Sequence, residues 1–358
     1  MKLSRRELLR SLLVGGGNLG FLGLWGRSAF SLRSQEKAKS EPAPAPLTSG
    51  IAAGTASVPS VQEAVNQYCK WFDYVVHWRG KVTAAQATLW DAPGVAGHPA
   101  ALVGPKDMQR GLIRFVEVSA KPTPAFTTRG WTALELRTRN VDELAQRLEA
   151  SPFKRIGGPA DLKFSDPPRL RAMQALGLGG EALYCTQSLV DPNGPYPGGQ
   201  LGPNNVGTLF IVVLACWPYP ATRDFYIQTL GMKLGFEAEF PLRFANRYLE
   251  WPADRKGVLA TARSGPSSLI ELDGYPEEVL SRPTPGGSLP SGVSICTLDV
   301  PDIEKVAVAL QTASIPFRRL SSRLSEPLYR NRPALALRGR SGEIAELVEN
   351  KEAQPSGG

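Results

Sequence analysis

Ala215-Cys216-Trp217-Pro218-Tyr219-Pro220-Ala221-Thr222-Arg223-Asp224-Phe225-Tyr226-Ile227-Gln228-Thr229-Leu230-Gly231-Met232 joins an apolar strand to an amphipathic helix. The run before it, Thr208 to Ala215, is apolar enough to be a buried strand. Pro218 and Pro220 end that strand and suit a helix's first turn, where the missing N–H of proline costs nothing. Gly231 suits the position just past a helix end, where the backbone turns left-handed.

The same grammar occurs three more times. Strands at Ile51 to Val58, Trp131 to Thr138 and Val293 to Leu298 each run into a short break and a helix. Val61, Ala64, Val65 and Tyr68 share one helix face, as do Val141, Leu144, Ala145 and Leu148, and Ile303, Val306, Ala307 and Leu310. That i, i+3, i+4, i+7 spacing is what a helix lying on a sheet needs. Ser60, Asn140 and Asp302 are suitable N-caps. Closing strands follow at Leu112 to Val118, Ala182 to Gln187, Ser268 to Leu272 and Ile344 to Val348. Anchors on the first strands (Ala53, Ala133, Ile211, Ile295) and last strands (Arg114, Tyr184, Glu271, Glu346) lie 61, 51, 60 and 51 residues apart. The alternation of long and short implies a duplicated two-module unit.

The Phe225-Tyr226…Leu230-Gly231-Met232 phrase, with the closing strands Ile270-Glu271-Leu272 and Glu346-Leu347-Val348-Glu349, resembles the vicinal oxygen chelate superfamily of glyoxalases, bleomycin-resistance proteins and extradiol dioxygenases. The resemblance covers most of residues 50–350. It implies an α+β fold of four βαβββ modules, paired into two incomplete barrel-like domains. The expected divisions are a signal peptide at 1–31, a flexible linker at 32–49, an N-terminal domain at 50–190 and a linker at 191–205. A C-terminal domain at 206–350 and a disordered tail at 351–358 complete the chain.

Such proteins hold a divalent metal through His or Gln on first strands and Glu on last strands. Imidazole and carboxylate suit Fe, Mn, Ni or Zn, and open positions admit a chelating substrate. Here the first-strand positions carry Ile211 and Ile295, and the two histidines of the chain, His77 and His98, occupy no anchor. A two-His-one-carboxylate site is therefore excluded by counting. Glu271 and Glu346 are the candidate catalytic and metal-ligating residues, expected to converge in the C-terminal domain. Arg114, Tyr184, Ile211 and Ile295 are the candidate ligand contacts. The cofactor is none or one divalent metal ion. The resemblance implies a protein that binds a small organic molecule in a barrel cavity, with a degenerate metal site. A metal-dependent lyase, isomerase or dioxygenase with a carboxylate-rich site is the alternative, and a structural role with filled cavities a third reading.

Arg5-Arg6 precedes a glycine-rich apolar stretch, Ser11 to Trp25, followed by Ala29-Phe30-Ser31. That is the pattern of a twin-arginine signal read by the export machinery for folded cargo, so the expected location is the periplasmic or outer side of the cytoplasmic membrane. The net charge is +8, and residues 1–31 hold half of it. The remainder is mild and lacks a basic block with interleaved aromatics, so no nucleic-acid partner is expected. Cys69, Cys185, Cys216 and Cys296 show no CxxC spacing and read as buried free thiols.

Overall fold

The computed structural model describes residues 46–352 apart from 120, 163, 164 and 195. The expected signal peptide, with Arg5 and Arg6, lies outside the described residues, as do linker residues 32–45 and tail residues 353–358.

Four modules are present. The first comprises β1 (Gly50–Val58), α1 (Val61–Phe72), β2 (Val75–Lys81), α2 (Ala84–Leu89), β3 (Pro99–Gly104) and β4 (Leu112–Glu117). The second comprises β5 (Gly130–Thr138), α3 (Val141–Leu148), β6 (Lys154–Leu162), β7 (Leu170–Leu176) and β8 (Ala182–Ser188). In the third, β9 (Val206–Cys216) leads to α4 (Tyr219–Asp224), which continues as a π-helical turn through Phe225–Thr229. Then follow β10 (Lys233–Pro241), α5 (Arg243–Tyr248), β11 (Lys256–Arg263) and β12 (Leu269–Gly274). The fourth contains β13 (Gly292–Val300), α6 (Ile303–Thr312), β14 (Arg318–Arg319), β15 (Ala334–Arg338) and β16 (Ile344–Glu349). The three expected caps form: Ser60, Asn140 and Asp302 each accept from a backbone N–H in the first turn of α1, α3 and α6. The fold is α+β, as expected.

The modules do not pair in the expected order. One eight-stranded sheet runs β14-β15-β16-β13-β1-β4-β3-β2, and the other runs β10-β11-β12-β9-β5-β8-β7-β6. The first module therefore joins the fourth, and the second joins the third, so 50–190 and 206–350 are not separate barrel units. The seams are antiparallel first-strand pairs, β1 with β13 and β5 with β9. All four modules share one grammar, so the repeat itself does not choose between pairings. The pairing that forms sets Glu346 of β16 against the buried Arg114 of β4.

Two expected linkers are corrected by the same topology. Residues 191–205 connect β8 to β9 within one sheet and do not divide domains. Their Gly, Pro and Asn content reads as flexible, but the buried Arg137 of β5 donates to the carbonyls of Pro192, Gly194 and Tyr196 and ties the segment down. Residues 47–49 are also part of the fold: Leu47 N–H donates to Leu230 O, and Ser49 N–H to Asp299 O.

The main core lies between the backs of the two sheets. Leu134, Leu136, Val212 and Leu214 of one sheet share it with Ile51, Cys296 and Leu298 of the other, and the helices add Val65, Leu144, Tyr226 and Val306. The first strands are consequently covered on both faces, and nearly every residue in them is buried. The four cysteines are free thiols, three of them fully buried.

Candidate functional site

Each half-barrel turns its concave face away from the shared core, and the two faces differ. In the first, the anchor positions Ala53, Ile295, Arg114 and Glu346 face inward and the space is filled. Arg114 is fully buried. Its Nη2 donates to Glu346 Oε2 at 2.8 Å, its Nε to Thr55 Oγ1 at 2.9 Å, and its Nη1 to the Tyr329 hydroxyl at 3.2 Å. The guanidinium lies 4.6 Å from the ring centre of Trp90. Glu346 accepts three further bonds: from Trp90 Nε1 at 2.7 Å, the Tyr329 hydroxyl at 2.6 Å and Thr297 Oγ1 at 2.7 Å.

Local sequence explains the placement. A capping box between Thr83 and Gln86 starts α2, which ends at Trp90, and Gln86 Nε2 also donates to Glu326 at 2.6 Å. Burial alone would lower the Arg114 pKa, but Glu346, with Tyr329 and Glu326, reverses this and raises it. Burial pushes Glu346 up, and the Arg114 guanidinium and the three donors overcome that and hold it below the usual carboxylate range. Leu102, Ile344, Val348 and Leu328 complete an apolar shell.

The second half-barrel is built differently. Register places Ala133, Glu135, Ile211, Val213, Glu271 and Tyr184 on one inner face. Asp273, two residues past Glu271, shares that face. Thr261 on β11 lies opposite Glu271. Glu271, Asp273 and Tyr184 are half-buried. Phe126, Phe244 and Tyr248 form one wall with Tyr184, ring centres 5.1 to 6.4 Å apart along Phe126. Phe244 and Tyr248 come from α5, which Arg247 fastens to Ile156 O on β6 at 3.1 Å.

Burial pushes the Glu135 carboxyl up to about 7, against one stabilising bond from Thr186 Oγ1 at 2.5 Å. Burial, then repulsion from Asp273 and Glu135, raises Glu271 well above the carboxylate range. Burial raises Asp273 as well. The Asp273 Oδ1 and Thr261 Oγ1 atoms are buried without a hydrogen-bond partner.

Glu271 and Glu346, expected to form one carboxyl pair, lie in different sheets facing different cavities, because their modules do not pair with each other. Arg114 meets Glu346, and Tyr184 lies within electrostatic reach of Glu271. Ile295 belongs to the first half-barrel and Ile211 to the second. Glu135, Asp273, Thr261 and the aromatic wall are additions. Two carried a sequence signal: a glutamate inside the apolar Leu134-Glu135-Leu136, and the Glu271-Leu272-Asp273 alternation, which sends both acids to one face. His77 and His98 contact the carbonyls of Pro105 and Glu117 and stand apart from both cavities' polar groups.

A metal fits neither half-barrel. In the first, the Arg114 guanidinium takes the place beside Glu346. In the second, the carboxylates are spread along the wall; among the described residues, no three His, Cys, Asp or Glu side chains are placed to hold a metal ion.

No protein-family model and no curated protein matches the sequence. Solved structures do. Glyoxalase I from Zea mays superposes with a TM-score of 0.56 at 14% identity, over 85% of this chain and 93% of that one. A mutant form of the same enzyme gives 0.57 at 13% identity, over 85% and 94% of the two chains. A putative dioxygenase from Bacillus subtilis gives 0.55 at 14% identity, over 85% and 86%. The two sheets of paired modules and these superpositions give the chain the vicinal oxygen chelate fold.

Proposed function

We infer that the chain is a small-molecule-binding protein whose working cavity is the second half-barrel, while the first is a closed structural unit. One contrast carries this reading. In the first half-barrel the buried carboxylates face a cation: Arg114 bonds Glu346, which three further donors surround, and lies 3.8 Å from Glu326, whose Oε1 has no hydrogen bond. In the second, Glu271 and Asp273 lie beside unpartnered polar atoms, against an aromatic wall. Buried polar groups persist without partners only at a cost, which a bound ligand removes. The twin-arginine pattern at Arg5 and Arg6 supports a role on the outer side of the cytoplasmic membrane. No reaction step is assigned: neither cavity has a donor set suited to the metal of a lyase, isomerase or dioxygenase.

The test is ligand-observed NMR on the mature chain with a mixture of neutral, cationic and anionic aromatic fragments. It is repeated on Ile211→Trp, which fills the cavity, and on Phe244→Trp at its half-buried wall. Circular dichroism checks that each variant folds. Fragments that bind the native chain and are lost in either folded variant support the reading. Binding that survives both, or no fragment binding at all, overturns it.

A further inference from the structure

Resting on the reading that the second half-barrel is a binding cavity, we propose that its ligand is an organic cation: an ammonium or amidinium head on an apolar body. Glu135 from β5 and Glu271 and Asp273 from β12 place three carboxyl groups on the inner wall of one cavity. Of the arginines at the edges of this half-barrel, Arg129 lies over the Trp217 ring with Nε and Nη1 unpartnered, Arg247 lies 5.9 Å from the Tyr248 ring centre, and three bond to backbone or hydroxyl oxygens. Arg137, at the connector end, donates to the carbonyls of Asp191, Pro192, Gly194 and Tyr196. Arg247 donates to Ile156 O, and Arg282 to Thr128 and the carbonyls of Trp131, Ser291 and Val293. None of them contributes to the electrostatics of the three carboxyls.

A second observation points to a ligand independently. The Thr261 hydroxyl, 5% exposed and opposite Glu271, has no hydrogen-bond partner. The wall facing these oxygens is aromatic. Phe126 stacks on Phe244 at 5.1 Å, Tyr184 lies 5.8 Å from Phe244, and Tyr248 closes the group. Rings present a negative face to a cation and an apolar surface to the body carrying it. A bare metal ion would leave that wall unused and would need donors converging on one point, which these carboxyls do not provide.

The titration of the site agrees. With no cation bound, burial pushes Glu135 up to about 7 and raises Asp273, and burial with repulsion from Asp273 and Glu135 raises Glu271. Tyr184, Tyr196, Tyr275, Cys185 and Cys216, the other titratable groups that feel these acids, stay neutral because burial raises each of them. A bound cation favours the ionised carboxylates, so binding releases protons and affinity rises as pH increases through about 7.

The experiment compares three probes of one shape on the mature chain by titration calorimetry at pH 8: phenethylammonium, 2-phenylethanol and 3-phenylpropanoate. The ammonium is expected to bind at least about tenfold tighter than the alcohol, with the carboxylate weakest. That preference should shrink at pH 6 and vanish in Glu271→Gln and in Asp273→Asn. Equal binding of ammonium and alcohol, or a preference that survives both variants, overturns the cation assignment and leaves the binding reading standing. No binding of any of the three also overturns it, and the fragment titration on Ile211→Trp then decides the binding reading separately. Calcium or magnesium that binds stoichiometrically and blocks the ammonium would assign the carboxylates to a metal and overturn the proposal.

Discussion

Arg114 and Glu346 lie 232 residues apart in the chain and meet at 2.8 Å with neither side chain reaching solvent. The pair joins the first and last modules across the β1–β13 seam. Removing one partner strands the other. Arg114→Met is expected to destabilise by about 3–5 kcal/mol, and the double variant Arg114→Met, Glu346→Leu to recover much of that loss. Urea unfolding of the four species checks it. A double variant no more stable than Arg114→Met would show that the surrounding hydroxyls, not the unpaired charge, set the cost.

Much of this architecture was legible in the sequence. The helix faces at Val61, Val141 and Ile303 and the caps Ser60, Asn140 and Asp302 are local properties, and they gave the four modules. Arg114, Glu346, Glu271 and Tyr184 are each marked by their matched positions on the closing strands. Which of them meet was not legible. Partnership depends on which first strands pair, and four modules with one grammar leave that open. The connector at 191–205 misled for a related reason: composition reports the flexibility of an isolated segment, whereas Arg137 beneath it fixes the backbone through carbonyls that every residue carries. Glu135 lies two positions past the anchor Ala133, so the repeat spacing does not single it out.

Gly111 links the two sheets. Its carbonyl accepts from Leu209 N–H at 2.8 Å, its φ is +67°, and a Cβ there would lie 2.6 Å from Leu209 O. Backbone cannot swing aside as a side chain can. Gly111→Ala is therefore expected to cost about 1–3 kcal/mol from the left-handed φ and the overpacking together. Thermal unfolding checks this. An unchanged midpoint would mean the sheets separate at this point without loss.

Export is tested apart from the fold. Replacing Arg5 and Arg6 with lysine keeps the charge but removes the twin arginine. The precursor should then accumulate in the cytoplasm, folded and uncleaved, while the native chain appears outside the membrane, shortened near Ser31. Fractionation with an antibody against the mature chain reads both forms. Equal export of the two would remove the twin-arginine reading.

Glu181 and Glu343 occupy matching turns, Gly177-Leu178-Gly179-Gly180-Glu181 and Gly339-Arg340-Ser341-Gly342-Glu343, just before the closing strands of the second and fourth modules. Each carboxylate accepts a backbone N–H within its own turn, from Gly179 and Ser341. Glu181 also accepts the Tyr68 hydroxyl at 2.8 Å, whereas the corresponding hydroxyl of Tyr226 has no partner near Glu343. Burial pushes both carboxyls up to about 7. The folded state therefore holds protons that the unfolded chain has already released. A folded pKa above the unfolded value means stability that is full below about 4.3, declines above it, and is lost as pH rises through about 7. Glu181→Gln cannot ionise; its carbonyl oxygen still accepts the Gly179 N–H, and its NH2 faces the Tyr68 hydroxyl, which can turn to accept it. It should nearly match the native chain at pH 4 and exceed it at pH 8 by roughly 2–4 kcal/mol, the free energy of a shift of that size. Urea midpoints at the two pH values measure the difference. Parallel midpoints at both would mean that the Glu181 carboxyl titrates in its ordinary range and that its turn is open to water.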